Sequence, residues 1–195
     1  MQLLPKEQLW ITAGDLLMGP SSQYADQVET SEWCIMDIKF QSVVAPNGLV
    51  ANLFGPVEGR RHDSALLAMS GMLNQLEERS FAPNGNPLCL YGDPAYPHRL
   101  HLQCPFARRL QLTPEQDAFN LSMSRVRVSV EWVFGDIINY FKFVDFKKDL
   151  KIGLSDVGKF YIVSALLRNA MTCLHGNSTS RFFELDPPDI NNYFL

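Results

Sequence analysis

The pattern of apolar residues predicts an α/β domain, a mixed sheet flanked by helices. Three features carry this. Two β-rich runs face each other across an Asn47-Gly48 step, a helical repeat follows Arg61, and a short apolar run, Leu88-Cys89-Leu90-Tyr91, comes after that helix. A strand, a helix and another strand in succession need a crossover, which favours a parallel neighbour for the last strand and so a sheet of mixed direction.

Each element has a local cause. Residues 35–44 alternate, Pro46-Asn47-Gly48 turns the chain, and Leu49 to Phe54 continues as the partner run of a hairpin. Gly55 to Arg61 forms a loop, after which Asp63-Ser64 caps a helix with Leu66, Leu67, Met69, Met72, Leu73 and Leu76 at helical spacing. That helix ends near Ser80. Pro83 to Pro87 is a loop, and the strand over residues 88–91 stops at Gly92-Asp93-Pro94.

Residues 94–112, with Pro94, Pro97 and Pro105, read as mostly irregular. Thr113-Pro114-Glu115-Gln116 reads as a helix start, with Thr as N-cap, Pro at the first position and Gln completing a capping box. Val126, Val130, Val133, Phe134, Ile137, Ile138 and Phe141 form an apolar stripe in a helix reaching about Phe143. A last helix spans about Ser155 to Leu174, its expected buried face being Val157, Phe160, Tyr161, Val163, Leu166, Leu167, Ala170 and Leu174. The chain thus divides into a poorly determined N-terminal segment (1–34), one domain over 35–176, and a tail (177–195) expected to be loosely held from Asp186 onward.

A chain of 195 residues, 46% hydrophobic, suffices for one packed domain. With 17 Lys and Arg against 21 Asp and Glu, its formal net charge is −4, which opposes tight duplex binding by this chain alone. Basic residues do cluster at Arg60-Arg61, Arg108-Arg109, Arg125/Arg127 and Lys147-Lys148/Lys151, leaving room for a basic strip on an acidic body. The 4 Cys and 4 His show neither C-x-x-C nor H-E-x-x-H spacing, so reduced thiols are expected and a zinc knuckle is not. The opening residues lack a signal-peptide pattern and no apolar run approaches the length of a span, so a soluble intracellular protein is expected.

Two carboxylates stand out. Asp93 follows an apolar strand, and ligands collect at the carboxyl ends of strands in open α/β sheets; Gly92-Asp93-Pro94 is equally a simple turn. Glu131 lies among Val128, Val130, Trp132, Val133 and Phe134, where burial would be costly without a partner. An ion pair with Arg127 or Arg125 is its plain explanation. Together, a strand-end and a helix carboxylate repel each other, and divalent magnesium or manganese relieves the repulsion through oxygen ligands. Asp63, at the start of the helix after Arg61, reads as its N-cap. The run Tyr140-Phe141-Phe143-Phe146 suggests stacking on bases, but at helical spacing it reads as core.

The runs Lys39–Val44, Gly55–Ser64, Leu90–Pro97, Thr113–Gln116, Phe119-Asn120 and Arg127–Gly135 resemble, in order and spacing, the DDE superfamily endonuclease domain of Harbinger (PIF) transposase-derived nucleases. The resemblance covers residues 39 to about 175 and implies an RNase H-like core, incomplete here at the N-terminus. It implies a metal-dependent DNA endonuclease using Mg2+ or Mn2+, with Asp93 (G-D-x-x-Y) and Glu131 (V-E-x-x-F-G) as catalytic ligands. Asp63, in the His62-Asp63 motif, would assist in holding metal. The family's first catalytic Asp belongs to a D-G-T motif that does not occur in this sequence; Asp15 is the nearest substitute. The resemblance further implies DNA as substrate, a Myb/SANT-like DNA-binding partner, and work in the nucleus with the cytoplasm as a second compartment. The missing D-G-T supports an alternative: an inactive, truncated or domesticated transposase derivative serving as a protein interaction module.

Overall fold

A computed structural model of the chain describes residues 11–18, 38–107, 111–144 and 156–195, the first of these segments by its backbone. Among the described residues five strands form one sheet: β1 (Ile11–Met18), β2 (Ile38–Val44), β3 (Val50–Glu58), β4 (Leu90–Tyr91) and β5 (Leu102–Gln103), in the order β3-β2-β1-β4-β5. β1 and β3 run antiparallel to β2, whereas β4 lies parallel to β1 and β5 parallel to β4. The sheet is therefore mixed, the arrangement that the crossover argument favours.

β2 is buried along its whole length because both its faces are covered. Ile38, Phe40 and Val44 enter one core with Val130, Val133, Phe134, Ile137, Val157 and Tyr161, and Phe40 lies 4.7 Å from the Tyr161 ring. Val43 faces the opposite way, into a core with Leu67, Met72, Leu90, Tyr96 and Leu102. The period-2 alternation of a strand sends these neighbours to two separate helix layers.

Helices α1 (Asp63–Met69) and α2 (Met72–Arg79) cover the second face. The sequence suggests one helix here; the structure has two, broken at Gly71, whose φ of 63° is left-handed backbone that ends a helical ladder. The cap also differs from expectation. His62 is the N-cap and Asp63 is the first helical residue, its carboxylate drawn off the cap by an ion pair with Lys39 of β2.

The long helix α3 (Pro114–Tyr140) starts on the expected capping box: Gln116 N–H donates to Thr113 Oγ1 while Thr113 N–H donates to Gln116 Oε1. A 3-10 turn over Lys142–Val144 follows, then α4 (Val157–His175), α5 (Ser178–Phe183) and α6 (Ile190–Tyr193).

At four further places the structure adds to the sequence reading or departs from it. β1 occupies the centre of the sheet, although Gly14 and Asp15 interrupt its β-forming composition and hide it among residues 1–34. β5 lies within a stretch read as irregular, because two residues carry no periodicity. The buried face of α4 holds the expected Val157 and Tyr161 but is half polar: Ser164, Arg168, Asn169 and Thr172 are buried beside them, whereas Phe160, Val163, Leu166, Leu167 and Leu174 are exposed. Those polar groups bind backbone and one another, Asn169 pairing through its amide with both N–H and C=O of Val50 (2.8 and 2.9 Å). The segment from Asp186 onward is also held rather than loose, since Tyr193 OH accepts from Asn169 Nδ2 at 2.8 Å.

Candidate active site

The site begins where β4 ends. Gly92 leaves the strand between Tyr96 and Leu102, and a Cβ there would lie 2.8 Å from Tyr96 Cδ2 and 3.1 Å from Leu102 Cδ1. Only glycine passes without displacing the second core. Asp93 then closes a turn: its Oδ1 accepts the Ala95 N–H at 3.0 Å, and its own carbonyl accepts the Tyr96 N–H at 3.0 Å. The turn reading of Gly92-Asp93-Pro94 is thus correct without exhausting the carboxylate. The other oxygen, Oδ2, accepts from Arg127 Nη1 at 2.5 Å, both side chains being 34% exposed. Beside this pair sits the Cys104 thiol, pushed up to about 11 by burial, with the Asp93 charge adding to the shift.

The Arg127 contact brings α3 against the end of β4. Glu131 lies four residues further along α3, on the same helix face and about 6 Å along the axis. Val130, Val133 and Phe134 around it are buried, but Glu131 itself is exposed and bears no burial cost. The expected Arg127–Glu131 pair does not form, because Arg127 turns to Asp93 instead.

Asp15 is on β1, at the register position opposite Gln41. β1 pairs in parallel with β4 through Ile11↔Leu90 and Thr12↔Tyr91. Asp15 and Asp93 therefore each lie just beyond that pairing, toward the same end of adjacent strands. Asp63 is tied to Lys39, whose register partner on β1 is Leu17. Among the described residues no three His, Cys, Asp or Glu side chains converge as a metal-binding group. The set Asp63, Asp93 and Glu131 is consequently not gathered, and Asp63 and Asp93 each have a cationic neighbour.

Other candidates separate clearly. His62 is exposed; His101 is buried with its Nδ1 2.7 Å from the Leu88 carbonyl, and His98 Nδ1 accepts the Cys104 N–H at 3.4 Å, so the latter two serve the fold. Cys89, Cys104 and Cys173 are free thiols. Of the aromatic run, Phe141 packs on the core, while Tyr140 and Phe143 are exposed. Phe146, the Arg108-Arg109 pair and Lys147, Lys148 and Lys151 lie outside the described residues, as does Cys34. Among the described residues no helix is long and apolar enough to cross a membrane. Sequence reasoning missed Arg127 as the partner of Asp93; its spacing from Glu131 marked the helix face but not what that face would meet.

A family model described as DDE superfamily endonuclease matches residues 33–169, taking in Asp63, Asp93 and Glu131. The chain belongs to this family. Searches of curated proteins and of solved structures returned no significant match. As a DDE superfamily endonuclease domain, the chain is of a kind that acts on DNA and generally uses divalent metal ions. Its strand-end Asp93 and helical Glu131 have the hard oxygen donors such ions take. Each Asp93 oxygen accepts one hydrogen bond and keeps further lone-pair capacity, so the donors fit in kind.

Proposed function

We propose that this DDE endonuclease domain is a divalent-cation-dependent DNA endonuclease of the Harbinger transposase-derived class, built on an RNase H-like sheet. The carrying observation is the Arg127–Asp93 contact, which docks the helix bearing Glu131 on the strand end bearing Asp93. The sheet order, with three antiparallel strands and two parallel additions, is consistent with that fold. Asp93 and Glu131 would hold the cation, with Asp15 of β1 as the third ligand. When bound, the ion would supply Lewis-acid polarisation of the phosphodiester and a more acidic water.

The chain's own groups set the conditions for that chemistry. Asp93 is fixed by its turn, so its carboxylate is oriented before anything binds. Arg127 neutralises it in the meantime and is placed to meet a phosphate oxygen when displaced. Glu131 is exposed and lies one turn along α3 from Arg127, which meets Asp93. The acidic balance of the chain leaves duplex capture to a partner, for which a Myb/SANT-like DNA-binding protein is the proposed class, and the nucleus is the proposed compartment, with the cytoplasm as a second.

The test is manganese-dependent nicking of a labelled duplex by the chain together with its DNA-binding partner. Asp93→Asn and Glu131→Gln are each expected to lower the rate by on the order of a hundredfold or more, with Mn2+ binding weakened in parallel. Undiminished cutting by Asp93→Asn would sink the assignment. Arg127 also favours a second reading, since a guanidinium already neutralises Asp93 without metal: an inactive derivative serving as an interaction module. That reading predicts a folded chain with no measurable Mn2+ binding.

A further inference from the structure

Next to Asp93 lies a cavity of about 250 Å³, lined by Pro94 and Phe106 and, from α3, by Asn120, Met123, Ser124 and Arg127. We infer that it receives one unstacked nucleobase of the DNA strand whose phosphate meets Asp93. The inference rests on the nuclease reading for its substrate and on separate observations for its geometry.

Phe106 is held in place before any ligand arrives. Asn120 clamps its backbone from both sides, Oδ1 accepting the Phe106 N–H at 2.8 Å and Nδ2 donating to the Phe106 carbonyl at 3.0 Å. Its ring is braced by Phe119 at 5.5 Å and by His98 at 5.9 Å, yet remains 37% exposed. A rigid, accessible aromatic wall is what base stacking needs, and every base offers a π-face to it. The lining also includes Ser124 and Arg127, whose hydroxyl and guanidinium are groups able to address a base edge or the adjoining phosphate.

Size limits the occupant. Pockets for drug-sized ligands run from roughly 300 to 1,000 Å³, so this cavity suits a single heterocycle rather than a base pair. Arg127 joins the two places, lining the cavity while donating to Asp93. A base seated here therefore adjoins the carboxylate proposed to act on the backbone. Stacking also answers a need of this chain, because with a net charge of −4 it gains little from phosphate neutralisation.

The test uses a short oligonucleotide bearing a single 5-iododeoxyuridine, either unpaired or within a duplex, irradiated with the full chain in the absence of divalent metal. The unpaired probe is expected to crosslink at Phe106, with the duplex probe doing so far less. Phe106→Ala and the bulkier Phe106→Leu are each expected to bind the unpaired probe about tenfold more weakly, while Phe106→Tyr retains binding. Crosslinks that map only elsewhere, or equal binding by Phe106→Leu, overturn the inference. A chain that captures the base at Phe106 but cuts nothing with Mn2+ keeps the pocket and removes the nuclease reading. A chain that cuts without a Phe106 crosslink removes the pocket alone.

Discussion

Asp93 has one oxygen committed to its own turn and the other to a guanidinium, so its chemistry depends on whether Arg127 can be displaced. Both partners are about one-third exposed, and pairs of that kind contribute little net stability. Removing the cation should therefore leave the fold intact while uncovering negative charge for a metal ion. Arg127→Gln is expected to bind Mn2+ about fivefold more tightly than the wild type, corresponding to roughly 1 kcal/mol, by titration calorimetry at fixed ionic strength. Weaker binding in that variant would mean that the guanidinium orients the carboxylate for the ion instead of competing with it.

Among the elements, α4 departs furthest from its apolar pattern. Arg168 is almost fully buried, donating to Asp136 at 2.5 Å and to Thr172 Oγ1 at 2.9 Å, with its guanidinium 5.2 Å from the centre of the Tyr140 ring. Asn169 substitutes for a missing strand by pairing with both backbone groups of Val50 at the start of β3. Asn177 continues the pattern, donating to the Gly48 carbonyl at 2.8 Å, so the β2–β3 turn is tied to the C-terminal helices. Asn169→Ala would strand buried polar groups, and a loss of about 1–3 kcal/mol is expected in urea unfolding. A loss below about 0.5 kcal/mol would show that water replaces the amide. Thr113→Ala, which removes half of the α3 capping box, is expected to cost about 1 kcal/mol by the same measurement.

For the whole molecule, burial acts on several weakly acidic groups in one direction. Cys104 is raised from 9.0 to about 11 and Cys89 is also raised, while Tyr91 and Tyr161 are held well above the ordinary phenol range, with desolvation the largest cause in each case. A raised folded-state value means the stabilisation is complete below the unfolded value and is lost as pH climbs through the folded one. The melting temperature should accordingly hold up to about pH 9 and fall toward pH 11, with Cys104→Ala flattening the decline. An unchanged profile in that variant would assign the alkaline loss to the tyrosines.

Read alone, the sequence determined the hairpin over β2 and β3, the capping box of α3, the parallel return of the Leu90–Tyr91 strand, and Asp93 and Glu131 as the acidic groups to watch. These are legible because each rests on nearby residues: an alternating run, a turn dipeptide, a cap, a carboxylate after a strand. The tertiary structure decided the rest. β1 is a strand because its backbone pairs on both sides, which no composition rule reveals when Gly14 and Asp15 sit within it. α4 buries Asn169 because the Val50 backbone offers groups that need a partner, a demand made by a residue more than a hundred positions away. Arg127 faces Asp93 for the same reason, since the partner of a long cationic side chain is set by which strand end its helix packs against, not by its neighbours in the chain.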